Sequence, residues 1–142
     1  MSKARTPIRT QKAPLPPPFL SQGMIAGDLV YCSGQVGVDP NTGKMVEGPI
    51  QNRAAHEAQK QVLQNLGAVL EAGGSSLQDV VKVNIFLADM GDFTAVNEVY
   101  SSFFADPKPA RTCVAVKTLP LGTDVEIECS GLVTRDNRNS RL

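Results

Sequence analysis

The sequence predicts an α+β fold in which a mixed β-sheet carries two helices on one face. Three patterns carry that expectation. From Asp79 to Leu87, Val81, Val83, Ile85 and Leu87 share one side while Lys82 and Asn84 share the other, the period-two signature of a half-buried strand. From Asn52 to Leu70, Ala55, Ala58, Val62, Leu66, Val69 and Leu70 recur at spacings of three and four, one apolar face of a helix. A second helix opens at Asp92, a candidate N-cap, with Phe93, Val96, Val99 or Tyr100, and Phe103 as its inward stripe. Strand-like runs flank these helices, so both helices cover the same sheet face. The other face then calls for solvation or for another subunit.

The remaining elements follow in order. The first 27 residues hold no acidic side chain and carry Lys3, Arg5, Arg9 and Lys12, a composition that suits a mitochondrial presequence. Prolines 7, 14, 16, 17 and 18 oppose the amphipathic helix such a leader needs, and predict a short edge strand followed by a stiff loop. Leu29 to Ser33 reads as a strand running through Gly34-Gln35 into Val36-Gly37-Val38, with Asp39-Pro40-Asn41-Thr42-Gly43 as the turn. Gly73-Gly74 ends the first helix. Two strands close the chain, around Thr112 to Val116 and Val125 to Leu132, with Leu119-Pro120-Leu121-Gly122 predicted as their hairpin connection.

Composition narrows the function classes. The chain has 142 residues, 42% hydrophobic and 20% charged, the size of a single domain over 1–142 with tails at about 1–5 and 134–142 expected to be flexible. Fourteen basic and 14 acidic side chains cancel, which predicts no general attraction to nucleic acid or to an anionic membrane. No apolar run reaches the ~20 residues of a membrane span, and no signal-peptide core is present, so a soluble, non-secreted protein is expected. Cys32, Cys113 and Cys129 are odd in number and lack metal-ligand spacing, which predicts reduced thiols and no metal. The chain ends in Ser140-Arg141-Leu142, similar to a peroxisomal address. Cytoplasm and peroxisome are the expected locations, ahead of the mitochondrion.

Arg111 is the leading candidate for chemistry. In Lys-Pro-Ala-Arg-Thr-Cys-Val, residues 108 to 114, a proline step delivers a lone guanidinium to a strand start. Its planar fork suits two-point capture of a small carboxylate, although its stem could equally cover an apolar edge at the surface. Alternation sets Arg111, Cys113 and Ala115 on one face of their strand, and Glu126, Glu128 and Ser130 together on one face of the last. If the hairpin closes, Glu126 or Glu128 comes within a few residues of Cys113, where a carboxylate beside an arginine can hold a water and take its proton. A solvated strand face is the alternative. Cys113 reads as a small core residue before a nucleophile, since the one histidine, His56, lies on the first helix. Ser33-Gly34-Gln35 lacks the surroundings of a nucleophile elbow, and Gly73-Gly74 follows a helix instead of opening one.

Several of these segments, in order, closely resemble the RidA/YjgF family of imine deaminases. They are Val30-Tyr31-Cys32-Ser33-Gly34-Gln35, Asp39-Pro40 with Thr42-Gly43, Asp79-Val80-Val81-Lys82, Phe93 with Val96-Asn97-Glu98-Val99-Tyr100, Pro109-Ala110-Arg111-Thr112-Cys113-Val114, and Val125-Glu126-Ile127-Glu128. The resemblance runs from about Lys12 to Leu132. It implies a chorismate-mutase-like fold assembled as a homotrimer with clefts between subunits, hydrolysing 2-imino acids and enamines to 2-oxo acids and ammonia without a cofactor. By position it makes Arg111 the carboxylate clamp and Glu126 the group that places the attacking water. Cys113, Ser33 and Asn97 become cleft residues. One departure stands out: where deaminating members carry Gly-Pro-Tyr-Ser-Gln, this chain has Pro18-Phe19-Leu20-Ser21-Gln22, so Leu20 replaces a phenol. A trimer that binds 2-oxo acids without turnover is therefore a rival. Endoribonuclease activity, attributed to relatives, is a weaker one, given zero net charge and no histidine in the expected cleft.

Overall fold

Alternating and helical patterns resolve into β1 (Thr6–Ile8), β2 (Gly23–Ala26), β3 (Leu29–Gln35), α1 (Arg53–Ala72), β4 (Val80–Leu87), α2 (Phe93–Phe103), β5 (Ala110–Ala115) and β6 (Val125–Leu132). The computed structural model describes residues 4–46 and 53–134, without the side chains of 53–56. Ser140-Arg141-Leu142 and the His56 side chain therefore lie outside the described residues.

The strands form one sheet in the order β1-β2-β3-β6-β4-β5, antiparallel throughout except for β4 and β5. A parallel pair needs a crossover, and α2 supplies it, which lays that helix over the β4–β5 margin. The core lies under the helices. Val30, Val83, Ile85, Leu87, Val125 and Ile127 of the sheet are completely buried there, with Val62, Leu63, Val69 and Leu70 of α1. Each such side chain contributes about 1.5–3 kcal/mol on leaving water. Gly74, at φ 85°, stops α1 in the left-handed conformation that a side chain resists. The opposite sheet face exposes Tyr31, Val114 and Leu132 among polar neighbours.

The proline-rich start forms the expected edge strand and loop. Buried Gln22 fixes that loop: its Nε2 donates to the carbonyls of Thr10 and Pro14, both at 2.9 Å, and its Oε1 accepts from Thr10 N–H at 2.7 Å. Four local expectations differ. The four-residue β2, too short to show a pattern, pairs with β3 across Gly27-Asp28. The strand predicted to run on to Val38 stops at Gln35, and Val38 makes only an isolated bridge to Met45. Val81 is exposed instead of joining Val83, Ile85 and Leu87, because β4 carries one extra residue between Val80 and Lys82 opposite Gly131 and Ser130. Asp92 precedes α2 without a side-chain cap, while Asp89 accepts from Gly91 N–H at 2.8 Å in the preceding turn.

Candidate active site

Arg111 enters β5 opposite Val83, a residue buried beneath the helices, so its side chain leaves the sheet on the helix side. There α2 offers Phe93, Asn97 and Tyr100, which share one helical face by their spacing. The guanidinium carbon lies 4.6 Å from the centre of the Tyr100 ring and 5.7 Å from that of Phe93. Among the described residues no carboxylate forms an ion pair with Arg111. Its charge is held by aromatic faces and its in-plane donors stay available. Cys113, two residues on, is half-buried against the core, and burial raises its thiol pKa more than Arg111 lowers it. A thiol kept protonated this way is a poor nucleophile. Asn97 Oδ1 and Tyr100 Oη are buried with no hydrogen-bond partner among the described residues.

Glu126 lies on the other side of the sheet. Its β4 neighbour is Phe86, and Val125 and Ile127 beside it in β6 are completely buried on the helix side. In β3 an extra residue between Cys32 and Gln35 lifts Ser33-Gly34 out of register, and Gly34 lies directly under the Glu126 carboxylate. A Cβ at Gly34 would sit 2.2 Å from Glu126 Oε1. Burial, and then the charge of Glu128, raises the Glu126 pKa from its ordinary value. Ser33 Oγ donates to the Ser21 carbonyl at 2.6 Å and its N–H to the Gln22 carbonyl at 2.9 Å, which ties this bulge to the loop carrying Leu20. Leu20 and Phe19 are exposed beside a groove of about 520 Å³, shared with Arg5, Pro7, Pro18, Ser21 and Met24.

The structure thus gathers the candidate residues into two groups, with Arg111, Cys113 and Asn97 in one and Glu126, Ser33 and the Leu20 loop in the other. It corrects the predicted hairpin. β6 pairs with β3 and β4, not with β5, and the connecting segment wraps the end of β4. Val116 N–H donates to the Leu87 carbonyl on one side at 2.8 Å, and Ala88 N–H to the Asp124 carbonyl on the other at 3.0 Å. The cause lies in side-chain character. β4 brings three fully buried aliphatics to the helix face, whereas β5 brings Arg111 and Cys113, and an arginine is tolerated at a margin where its head reaches water. Glu126 is consequently separated from Arg111 by β4 and by the sheet itself.

Gly34, Phe93 and Tyr100 were not singled out as site residues. The Phe93, Asn97, Tyr100 spacing was the available signal, while a glycine required for close approach leaves no trace in hydrophobic pattern. Gly34→Ala is expected to fold normally, since the atom it meets is the end of a flexible side chain, but to displace the Glu126 carboxylate. An ångström of misplacement costs on the order of 100-fold in rate. Thermal unfolding checks the first half and any activity that proves to depend on Glu126 the second; an unchanged rate would detach Gly34 from the placement of that carboxylate.

Residues 10–133 match the family Endoribonuclease L-PSP. The chain is 49% identical over 131 residues to Protein mmf1, mitochondrial, of Schizosaccharomyces pombe, covering 90% of this chain and 76% of that one. It is 46% identical over 121 residues to the 2-iminobutanoate/2-iminopropanoate deaminase of Dermatophagoides farinae, covering 85% and 91%. The crystal structure of E. coli TdcF with bound serine superposes with a TM-score of 0.82 at 32% identity, covering 91% of this chain and 99% of that one. Strand order, paired helices and the extent of these matches lead to one conclusion: the chain belongs to the endoribonuclease L-PSP family, also called RidA/YjgF.

Proposed function

We propose that this protein hydrolyses reactive 2-imino acids and their enamine tautomers to 2-oxo acids and ammonia, in clefts between the subunits of a homotrimer. The observation that carries the reading is the Arg111 guanidinium, its carbon 4.6 Å from the centre of the Tyr100 ring and without an ionic partner among the described residues. It suits a carboxylate approaching in its plane. A deaminase among the relatives and a bound amino acid in a related structure support the same ligand class. The two groups on opposite sheet faces support an intersubunit cleft, because one copy's Arg111 and Glu126 diverge.

The chemistry asks little of the protein. A protonated imine carbon is electrophilic, so the reaction needs an anchored carboxylate, one placed water and a proton relay. Arg111 holds the carboxylate. Ionised Glu126 takes a proton as water adds to the imine carbon and returns it to the nitrogen; as the carbon–nitrogen bond breaks it takes the adduct's hydroxyl proton and passes it to the departing ammonia, leaving the 2-oxo acid. Its raised pKa favours both halves of that exchange. Cys113 contributes packing and backbone, and Ser33 and Asn97 line the cleft. No cofactor enters these steps.

The test follows 2-iminopropanoate and bulkier imino acids, generated in situ by an amino-acid oxidase, as they disappear in the presence of the protein. Arg111-dependent acceleration is expected. Arg111→Lys should lower kcat/KM about 10- to 100-fold, since an ammonium keeps the charge but loses one of the two charge-assisted contacts; near-parental rates would remove Arg111 from the clamp role. Leu20 favours a second reading, a trimer that binds 2-oxo acids without turnover. Ligand-dependent stabilisation with no acceleration over the whole panel selects it.

For location, mitochondrial import gains support from the S. pombe relative, whose name includes that compartment. The peroxisomal reading gains none. Among the described residues no helix is long and apolar enough to cross a membrane. A tagged chain whose distribution is indifferent to loss of Leu142 removes the peroxisomal reading.

A further inference from the structure

We propose that Tyr100 is a positioning residue: its ring fixes the plane of the Arg111 guanidinium and so sets the direction from which a carboxylate is captured. The proposal rests on the carboxylate-clamp reading of Arg111 and adds the element that orients it. An arginine at an edge strand has four side-chain torsions, and nothing ionic among the described residues restrains this one. Tyr100 does so from α2. The guanidinium carbon sits 4.6 Å from its ring centre, with Phe93 a second aromatic neighbour at 5.7 Å. A guanidinium laid flat on that ring has its face occupied and its edge, where the N–H donors lie, free for a planar anion. A carboxylate in the role of Tyr100 would neutralise the charge; an aromatic ring holds it and leaves it cationic.

The ring is itself well anchored. Tyr100 is 6% exposed, and its ring centre lies 4.6 Å from that of Phe104, tilted by 33°. Its hydroxyl is buried with no partner among the described residues. An unpaired buried hydroxyl adds nothing to folding, so the contribution of this side chain is sought in its π-face. Burial also raises the phenol pKa, which keeps the ring neutral under the guanidinium.

The chain contains two tyrosines and no tryptophan, which makes the contact observable without turnover. In a Tyr31→Phe background, an exposed position on the open sheet face, the near-ultraviolet tyrosine circular dichroism belongs to Tyr100 alone. Titration with propionate, a transparent monocarboxylate, is expected to change that signal saturably, and Arg111→Ala is expected to abolish the response. In imine hydrolysis, Tyr100→Phe should keep KM, because the ring remains. Tyr100→Met, similar in bulk without a π-face, should raise KM about 3- to 30-fold with kcat within about twofold. A Tyr100 signal indifferent to propionate, at concentrations that raise the melting temperature of the same protein, overturns the proposal, as does a folded Tyr100→Met with parental KM. If Tyr100→Met does not fold, the spectral titration decides. The failure of the clamp reading looks different: the parent chain then neither accelerates imine loss nor is stabilised by propionate, and both readings fall together.

Discussion

Replacing Glu126 with glutamine is expected to slow imine hydrolysis about 100- to 10,000-fold while leaving the protein as stable as its parent at neutral pH, or more stable. The two halves of this prediction come from one feature. Burial, followed by the charge of Glu128, raises the Glu126 pKa in the folded chain. A carboxyl whose folded pKa exceeds its unfolded one adds stability below the unfolded value, and that stability is lost as pH rises through the folded value. At neutral pH the ionised carboxylate is therefore a cost of folding that glutamine removes. In the proposed reaction hydrolysis depends on the same ionised form, because only the carboxylate can accept the water's proton. In the parent, kcat/KM should accordingly fall as pH drops through the raised Glu126 value, and the residual rate of Glu126→Gln should show no such step. Glutamine is close in size and should sit above Gly34 as glutamate does. Melting curves and pH–rate profiles of both proteins check the claim. A marked loss of melting temperature with activity retained would make Glu126 a packing residue.

The same strands show what a sequence pattern conveys and what it omits. In β6, Glu126, Glu128 and Ser130 alternate with the buried Val125, Ile127 and Cys129 as expected, and Arg111 and Cys113 share the half-buried face of β5. Period two assigns each side chain to a face of its own strand. It says nothing about which strand lies alongside, so Leu119 to Gly122 read as a hairpin when the chain there steps over the end of β4. Bulges defeat the pattern for a related reason: one added residue at Val81 reverses the side on which it points, and the added residue at Ser33-Gly34 creates the floor beneath Glu126. Helix α1 was legible because its apolar side chains answer to a single sheet. The α2 stripe was legible at Val96 and, up to a choice, at Val99 and Tyr100, whereas Phe93, expected to face inward, is exposed. Val99 and Tyr100 are both buried, and what distinguishes Tyr100 is an arginine eleven residues away in sequence, brought over it by the β4-α2-β5 crossover.

Chains carrying Arg111→Ala, mixed with chains carrying Glu126→Gln, are expected to regain activity that neither possesses alone. Within one copy, Arg111 leaves β5 toward α2 whereas Glu126 leaves β6 toward the open face, and β4 lies between the two strands. A cleft that uses both must take Arg111 from one subunit and Glu126 from another. In a trimer assembled at random from equal amounts of the two variants, about a quarter of the clefts pair an intact arginine with an intact glutamate, so about a quarter of parental activity should return. Co-expression with two different tags, followed by sequential purification, isolates the hybrids; each then has one intact cleft of three, so the purified fraction should show about a third of parental activity. If both groups acted from one chain, every cleft in every hybrid would retain one lesion and mixing would restore nothing. A hybrid of verified composition that remains inactive therefore means either that β5 leaves β4 during the reaction, carrying Arg111 around the sheet edge, or that carboxylate capture and water activation belong to separate sites. Hydrogen exchange across the β4–β5 ladder separates these, since only the first requires the bonds between Val83 and Ile85 of β4 and their β5 partners to open at the rate of turnover.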